Sequence, residues 1–447
     1  MKKILAVILN CVLIASSVSG CVSPPKSAET TDGGDSAGEK SAKAKKPANR
    51  IAVRSGGIRA EFYDTETDET FVPYGYNHVA LHPPVPEWPD GYPDHLTFHD
   101  GYYEQEEIER MMVEMERCNA NTLRIFISPS GIVEYDTYER GLYAPYMDNF
   151  CDLLARAANH GIYVMPVFEL LPGNNYYFHG EASEAGWPDD VGGENIYLLA
   201  ERMIDGKKKY LEDFVGYIKN KEPLLLNAVL GYALENEFYV VGDQAPFSGD
   251  SGLFTAPNGK TYDLADPADR QKCYDESMVH FCNEVSKAIK NVDPDAMVAI
   301  GMFTNLAVGK SGYNGVCIAN SWDNRFPPRL PVLVNDTKGL DFVDLHYYPG
   351  WNTLGNNLDS VEWQDADLSK KPVIAGEMGF YRPNILPENY VTEEDAAAQL
   401  PIVLGQMADA GLTGCLIWTW DNEPSFWCPA KNQKLREAFK EEISCKK

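Results

Sequence analysis

Short apolar runs alternate with amphipathic stretches along most of the chain, and this alternation is the feature that most limits its fold. Such alternation is typical of parallel strands joined by helical crossovers. Eight runs have the length of a strand, and they begin at Phe71, Asn121, Ile162, Leu226, Met297, Phe342, Pro372 and Gly414. Eight parallel strands close a (β/α)8 barrel. The pattern therefore predicts an α/β fold with a TIM barrel.

Helical spacing occurs between several of these runs. Apolar residues fall on one helical face between positions 108 and 115, and again between 150 and 158, where Gly161 follows as a C-terminal cap. An Ala-rich helix is predicted to start with Thr392 and Asp395 in capping positions, and Pro401 should kink or split it. These segments supply the crossovers that a barrel needs.

Long polar or aromatic insertions follow the first and fourth strands, over residues 81–103 and 240–263. The carboxyl ends of barrel strands form the active-site rim. We therefore predict one domain over residues 51–447, with long loops on its C-terminal face.

The N-terminus has the layout of a secretory signal peptide. Two lysines precede an apolar stretch over residues 4–15, which is shorter than the roughly 20 residues that span a bilayer. The sequence VSGC at 18–21 resembles the lipobox of bacterial lipoproteins, which implies a signal peptide over residues 1–20 and lipidation of Cys21. Ordinary cleavage beside an incidental cysteine stays open.

Residues 21–50 contain almost no bulky apolar side chain, so they predict a flexible tether. We expect an exported, monomeric protein whose only contact with a membrane is the lipid. Val22 differs from the aspartate associated with retention at the inner membrane. This favours the outer membrane or cell surface, and which membrane face carries the anchor stays open.

The charge of the chain excludes some partners. The net charge is −27, and the first 50 residues carry eight Lys/Arg against four Asp/Glu, so the remainder carries −31. Such a field repels nucleic acid and disfavours strongly acidic polysaccharides. Neutral ligands are not affected.

The sequence contains none of the common cofactor-binding or metal-binding motifs. Eight cysteines follow Cys21, without a C-x-x-C pair or a zinc pattern. No Gly-rich phosphate loop, H-E-x-x-H or EF-hand pattern occurs. We predict no cofactor and no metal, and any disulfide pairing stays open.

Two carboxylates end predicted strands. Glu237 follows the fourth strand and Glu377 lies at the end of the seventh, so both should stand at the mouth of the barrel. Glycoside hydrolysis requires two such carboxyls, one protonated to assist the leaving group and one ionised. Their repulsion helps the acid to keep its proton.

The pair Asn236-Glu237 on strand four, with Glu377 on strand seven, resembles clan A of the glycoside hydrolases, most closely family 5. The resemblance implies retaining (β/α)8 enzymes in which Glu237 is the acid/base, Glu377 the nucleophile, and Asn236 a ligand of the sugar 2-hydroxyl. Two departures are visible: Phe238 replaces the usual Pro, and strand three ends at Glu169 without the usual His. Other clan A families stay open.

Further residues agree with the resemblance. His346 and Tyr348 are two apart on strand six and face one side, like the family His-x-Tyr whose Tyr supports the nucleophile. Arg124 on strand two resembles the arginine that pairs with the nucleophile. Trp418 resembles the tryptophan beneath the sugar, and Asn77 resembles the family's Gly-x-Asn. Each alone also fits a purely structural role.

Aromatic residues crowd the predicted rim: Trp88, Trp322, Tyr347, Trp351 and Trp427. Flat aromatic faces suit neutral sugars, although loop packing explains any one of them equally well. Trp351 is the first candidate for substrate binding, because it directly follows the His-x-Tyr segment.

A second Asn-Glu pair occurs at Asn422 and Glu423. The chain ends 24 residues later, which leaves no room for a downstream strand bearing a nucleophile. Glu423 can therefore at most line the rim, and its role and that of Glu169 stay open.

The sequence thus predicts a lipid-anchored retaining glycosidase that cleaves neutral β-glycans of glucan or mannan type, and the long rim loops favour internal cleavage. Two alternatives remain: an inactive surface glycan-binding lipoprotein, and a transglycosylase on the same residues. The distance between Glu237 and Glu377 separates retention, at about 5–5.5 Å, from inversion, at about 6.5–9.5 Å.

Overall fold

The computed structural model describes residues 48–83, 86, 92–133, 141–172, 176–177, 190–249, 252–318, 323–350, 352–387, 390–421 and 424–446. Cys21 and most of the predicted tether lie outside these residues. At the end of that tether, the Arg50 guanidinium donates two hydrogen bonds to Asp293, at 2.9 and 2.8 Å. Among the helices of the described ranges, none has the length and apolar character that crossing a bilayer requires.

The described strands are β1 (Ile51–Arg54), β2 (Glu61–Asp64), β3 (Thr70–Phe71), β4 (Tyr74–His78), β5 (Leu81–His82), β6 (Tyr92–His95), β7 (Thr122–Ile127), β8 (Tyr163–Phe168), β9 (Tyr232–Ala233), β10 (Val240–Val241), β11 (Leu253–Thr255), β12 (Thr261–Asp263), β13 (Val298–Ala299), β14 (Gly301–Phe303), β15 (Arg325–Phe326), β16 (Val343–His346), β17 (Val373–Met378) and β18 (Cys415–Ile417). The described α-helices are α1 (Gln105–Arg117), α2 (Ala144–Asn159), α3 (Ile196–Leu199), α4 (Glu201–Lys221), α5 (Pro267–Val292), α6 (Leu330–Asn335), α7 (Leu354–Ser360), α8 (Glu393–Ala410) and α9 (Gln433–Lys446).

A parallel barrel forms the centre of the molecule. Its strands pair in the order β13-β9-β8-β7-β4-β18-β17-β16-β14. Only Ile300 separates β13 from β14, so these two segments are one barrel strand that pairs with β9 on one side and with β16 on the other. The ring therefore has eight positions, in chain order, with helices between them. This confirms the predicted (β/α)8 fold, and all eight predicted runs contribute.

Two local predictions differ from the structure. In the run from Leu226, only Tyr232–Ala233 is strand, because Pro223–Ala228 forms a 3-10 helix. A short apolar run is buried equally well in either form, so its composition does not settle the conformation. Helix α8 is not split at Pro401. Pro401 is exposed to solvent, so water can donate a hydrogen bond to the backbone carbonyl that lacks a partner because proline has no N–H.

The predicted caps are present. Thr392 accepts a hydrogen bond from the Asp395 backbone, and the Asp395 carboxylate accepts one from the Thr392 backbone, which forms a capping box at the start of α8. Gly161 follows α2 with a φ of +68°, a conformation that glycine adopts without strain.

A small antiparallel sheet of β1, β2 and β3 covers the N-terminal end of the barrel. Its Ile51 and Phe62 join the cluster of apolar side chains inside the barrel, and the Phe62 ring lies 5.1 Å from that of Phe342. With this end covered by apolar contacts, the C-terminal end is left for chemistry.

Candidate active site

The carboxyl ends of the barrel strands bring together seven of the predicted site residues: Asn77, Arg124, Asn236, Glu237, His346, Tyr348 and Glu377. They come from β4, β7, β16 and β17 and from the segments after β9 and β16. A continuous set of hydrogen bonds joins them.

Arg124 lies at the centre of this set and is fully buried. Its Nε donates to Asp344 at 3.0 Å, and its Nη1 donates to Asn77 at 2.9 Å and to Glu377 at 2.7 Å. Its Nη2 donates to Asn236 at 2.8 Å. A buried guanidinium requires such partners, because an unpaired charge away from water is costly. Asn77 is also buried, so it supports Arg124 and does not face the cleft.

Glu377 is held at both carboxylate oxygens. Oε1 accepts from Arg124, and Oε2 accepts from the Tyr348 hydroxyl at 2.6 Å. Burial raises the pKa of Glu377, as does the charge of Glu237, and together they outweigh the lowering by His346, Arg124 and Tyr348. The two bonds orient the carboxyl, and they favour its ionised form.

Glu237 is bonded to His346, with 2.8 Å between Oε1 and Nδ1. Burial raises the pKa of Glu237, but the hydrogen bond and charge of His346 outweigh this and lower it overall. Burial also opposes a charge on His346, yet Glu377 and Asp344 raise its pKa to about 10. The imidazole therefore carries the proton that it shares with Glu237.

The second imidazole nitrogen faces Asp344. Nε2 of His346 lies 3.5 Å from Oδ1 of Asp344, an oxygen that has no hydrogen bond among the described residues. Nη2 of Arg124 also lies 3.1 Å from this Nε2. Arg124 donates to this Nε2 when the imidazole is neutral, whereas in the imidazolium Nε2 carries a hydrogen that faces Asp344 instead.

The spacing of the two carboxyls is short. One oxygen of Glu237, one oxygen of Glu377 and a ring nitrogen of His346 all lie within 4.8 Å of one another. The Glu377 side chain is 5 % exposed and that of Glu237 is 17 % exposed. Glu377 is thus the deeper group and Glu237 the more accessible one.

The same three groups are the one described set of His, Cys, Asp and Glu side chains close enough to hold a metal ion. Each already has a hydrogen-bond partner. The raised pKa of His346 favours imidazolium, which has no lone pair for a metal. The residues present therefore fit a proton-sharing site better than a metal site.

Two glycines permit the close approach of these strands. A Cβ atom at Gly376 would lie 1.6 Å from the Asp344 carboxylate, and one at Gly301 would lie 1.7 Å from the Asn236 carbonyl oxygen. Both positions therefore require glycine. The backbone beside Glu237 is fixed further by a 3.0 Å bond from the Phe238 amide to the Gly301 carbonyl.

Glu235 and Lys207 form a buried ion pair that sequence reasoning missed. Nζ of Lys207 donates to Oε1 of Glu235 at 2.7 Å and to the Leu170 carbonyl at 2.8 Å. Oε2 of Glu235 accepts from the Leu170 amide at 3.0 Å. The pair thus ties the ends of β8 and β9 together, and Glu235 is structural whereas Glu237, two residues later, faces the cleft.

Asp344 was also missed, although a signal was present. A charged residue inside the apolar run FVDLHYY, two positions before His346, must lie on the same side of the strand. Asp344 is fully buried and completes the contacts of Arg124.

The structure shows where the two residues that depart from the family pattern, Phe238 and Glu169, lie. Phe238 is buried, and its ring lies 5.5 Å from that of Phe281 on α5. Packing against the helix layer thus occupies the position after Glu237. Glu169 is half-buried directly after β8, at the same rim as Glu237 and Glu377.

The structure places three of the predicted aromatic residues in different surroundings. Trp418 is half-buried after β18, with its ring 5.8 Å from that of Phe126, and like Tyr348 it packs against a small apolar cluster that includes Phe426. Tyr347 was wrongly placed on the rim: it is buried among the helix-layer side chains, because Tyr348 faces inward and neighbours on a strand alternate. Trp427 is half-buried and bonded to a backbone carbonyl.

Some predicted positions cannot be placed. Trp351, Trp88 and Trp322 lie outside the described residues, and so does the pair Asn422 and Glu423.

Comparison with known proteins identifies a family. The model of the family described as Cellulase (glycosyl hydrolase family 5) matches residues 89–424. No curated protein matches the chain.

Several solved structures share the fold. The chain is 17 % identical to the endo-1,4-beta-mannanase from Rhizomucor miehei, with a TM-score of 0.56 over 89 % of this chain and 100 % of that one. It is 18 % identical to an exo-beta-1,4-mannosidase from Opitutaceae bacterium strain TAV5, with a TM-score of 0.54 over 88 % and 62 %. It is 15 % identical to the beta-1,4-D-mannanase from Cryptopygus antarcticus, with a TM-score of 0.52 over 88 % and 95 %.

Proposed function

Because the chain belongs to glycosyl hydrolase family 5 and is thus an O-glycosyl hydrolase of β-glycans, we propose that it acts with retention, by double displacement. The observation that carries this proposal is the spacing of at most 4.8 Å between oxygens of Glu237 and Glu377. Retaining enzymes hold the two carboxyls about 5–5.5 Å apart, and inverting enzymes hold them about 6.5–9.5 Å apart to admit a water.

Glu237 must carry a proton before the glycosidic bond is cleaved. The proton on Nδ1 of His346 moves along the 2.8 Å bond to Glu237, which becomes the general acid while the imidazole becomes neutral. This transfer removes the Glu237 charge that raises the pKa of Glu377 and also the His346 charge that lowers it, so Arg124 and Tyr348 are the groups left to favour the carboxylate. Glu377 then stays ionised beside Arg124 and Tyr348, as a nucleophile must.

In the first displacement, a carboxylate oxygen of Glu377 attacks the anomeric carbon. The glycosidic C–O bond breaks, and its oxygen takes the proton of Glu237. In the second, Glu237 accepts a proton from water while the water oxygen attacks the anomeric carbon and releases Glu377. Asn236 keeps its amide Nδ2 available for a sugar hydroxyl, since its Oδ1 is already used by Arg124.

The polymer is proposed to be a neutral β-1,4-linked mannan or glucan. The mannan-active names of the structurally similar proteins make mannan the first polymer to test, and the cellulase family makes glucan the second. The net negative charge is compatible with a neutral chain. Internal cleavage is proposed from the long loops at the rim.

The test is release of reducing ends by the purified protein from mannan, galactomannan, cellulose, mixed-linkage β-glucan and xylan, with Glu377→Gln in parallel. We expect activity on one polymer type, its loss in the variant, and a β-anomer as the first product in proton NMR. A first product of α configuration would overturn retention. Activity that survives in Glu377→Gln would overturn the nucleophile, and binding without hydrolysis would favour the glycan-binding alternative.

Export and anchoring remain part of the proposal. The VSGC motif supports lipidation of Cys21, and Val22 supports placement at the outer membrane or cell surface, where we propose that the enzyme acts as a monomer. Metabolic labelling with a fatty-acid analogue should mark the wild type and not Cys21→Ser. Equal labelling of both proteins would contradict the anchor.

A further inference from the structure

Glu169 stands at the mouth of the barrel, directly after β8. Along this strand Tyr163, Met165 and Val167 belong to the cluster inside the barrel, whereas Phe168 belongs to the helix layer. Because side chains alternate, Glu169 continues the inward-facing series one layer above Val167. It is half-buried, so it reaches solvent at the open end of the barrel.

The backbone beside Glu169 is fixed. Leu170 has a φ of +47°, and its amide and carbonyl are held by Glu235 at 3.0 Å and by Lys207 at 2.8 Å. These bonds determine where the preceding residue points. The buried ion pair of Lys207 and Glu235 therefore presents Glu169 to the cleft.

The Glu169 carboxyl itself has no hydrogen bond to any other described residue. Its neighbours differ in this respect: Glu235 is paired with Lys207, Glu377 with Arg124 and Glu237 with His346. A purely structural carboxyl at this depth would be expected to have a partner of its own. Its hydrogen-bonding capacity is thus available to a ligand.

We propose that Glu169 binds a hydroxyl group of the glycan, beside the sugar on which Glu237 and Glu377 act. The proposal rests on the proposed function, since it requires a glycan in this cleft. It makes Glu169 a substrate-recognition residue and not a part of the displacement chemistry.

The electrostatic surroundings favour a neutral ligand. The charged groups that act on Glu169 are Glu235, Glu237, Glu377, Arg124 and Lys207. Burial raises the pKa of Glu169, and the surrounding carboxylates add to the effect, so that it reaches about 8. Below that pH the neutral carboxyl has one donor and an acceptor oxygen, which match the donor and acceptor of a sugar hydroxyl.

Steady-state kinetics on the polymer that the protein hydrolyses tests this role. At pH 6.5, Glu169→Ala should raise KM about three- to tenfold, the usual loss for one neutral hydrogen bond, with kcat changed less than twofold. Glu169→Gln should rescue most of this loss, because the amide is neutral and can donate and accept. Glu106→Ala, at an exposed position on α1, is the matched control and should change neither constant.

The pH profile separates recognition from a structural role. Above about pH 8 the wild-type carboxyl ionises, loses its donor and adds a charge beside other carboxylates, so KM should rise. In Glu169→Gln the KM should stay flat over the same range. A KM unchanged by Glu169→Ala, or a rise with pH that persists in Glu169→Gln, would overturn the proposal.

A binding experiment distinguishes failure of the proposed hydrolysis from failure of the proposed role of Glu169. If the wild type hydrolyses no polymer, binding of β-1,4-mannotriose and cellotriose is measured by calorimetry at pH 6.5. Weakening by three- to tenfold in Glu169→Ala would still support the role of Glu169. Equal affinities, or no binding by the wild type, would overturn it.

Discussion

Nδ1 of His346 lies 2.8 Å from Oε1 of Glu237 and 3.4 Å from Oε2 of Glu377. One imidazole nitrogen therefore faces both carboxyls of the proposed double displacement. Groups so close titrate as a unit, so the proton that Glu237 must donate belongs to the whole set. The pKa of about 10 at His346 means that this unit keeps its proton through neutral pH.

His346→Asn should move the basic limb of the kcat/KM profile to lower pH. The wild-type unit loses its proton only as the pH rises toward 10. Without the imidazole, Glu237 alone must hold the proton and releases it earlier as pH rises. A pH–rate series from 5 to 10 measures the shift, and an unchanged basic limb would contradict the shared proton.

Tyr348→Phe should move the acid limb of the kcat/KM profile to higher pH. The Tyr348 hydroxyl donates to Glu377 and lowers its pKa, which burial has already raised. Without that bond the pKa of Glu377 rises further, so activity is lost at a higher pH as the pH falls. A hydrogen bond to a charged group contributes about 1.5–3 kcal/mol, so kcat/KM at the optimum should fall about 10- to 150-fold.

Thermal midpoints of Tyr348→Phe and of the wild type serve as the control in that experiment. An acid limb that stays in place, with lower activity and a lower midpoint, would indicate a packing defect and not a role at Glu377.

Much of the fold was predictable because barrel strands are buried on both faces. Their apolar runs are visible without knowledge of the contacts, and the order of the runs is also the order around the barrel. Glu237 and Glu377 could be recognised because each follows such a run. His346 and Tyr348 could be paired because alternate side chains share a face.

Contacts between layers could not be predicted in the same way. Lys207 lies on the long helix α4, 28 residues before Glu235, and its neighbours in sequence resemble those of an exposed lysine. Its partner depends on how the helix packs against the barrel. The sheet of β1 to β3 could not be predicted either, because strands of two to four residues are too short to show an alternating pattern.

Glu237→Ala should show which step needs the acid. With a polymer, whose leaving group is a sugar alcohol, loss of general acid catalysis should lower kcat about 10²- to 10⁴-fold. With a dinitrophenyl glycoside, whose leaving group needs no proton, formation of the glycosyl-enzyme should be nearly unaffected, and a burst of phenolate should appear. Stopped-flow absorbance measures the burst, and equal losses on both substrates would contradict the assignment.

Lys207→Met should destabilise the fold although Lys207 is remote from the reacting atoms. Its side chain is 3 % exposed and that of Glu235 is 9 % exposed, so removal of the ammonium leaves a buried carboxylate unpaired. Breaking a buried ion pair costs about 3–5 kcal/mol in the free energy of unfolding. Urea denaturation followed by circular dichroism measures the change.

Two comparisons test the cause of that loss. Lys221→Met removes a pair of similar length, 2.8 Å, whose partners are each 46 % exposed, and it should cost at most about 1 kcal/mol. The double variant Lys207→Met/Glu235→Gln should recover much of the lost stability, because a neutral amide can still accept from Leu170 while no charge is left unpaired. If the double variant is less stable than Lys207→Met by the full cost of a second, independent substitution, the two residues do not act as a pair.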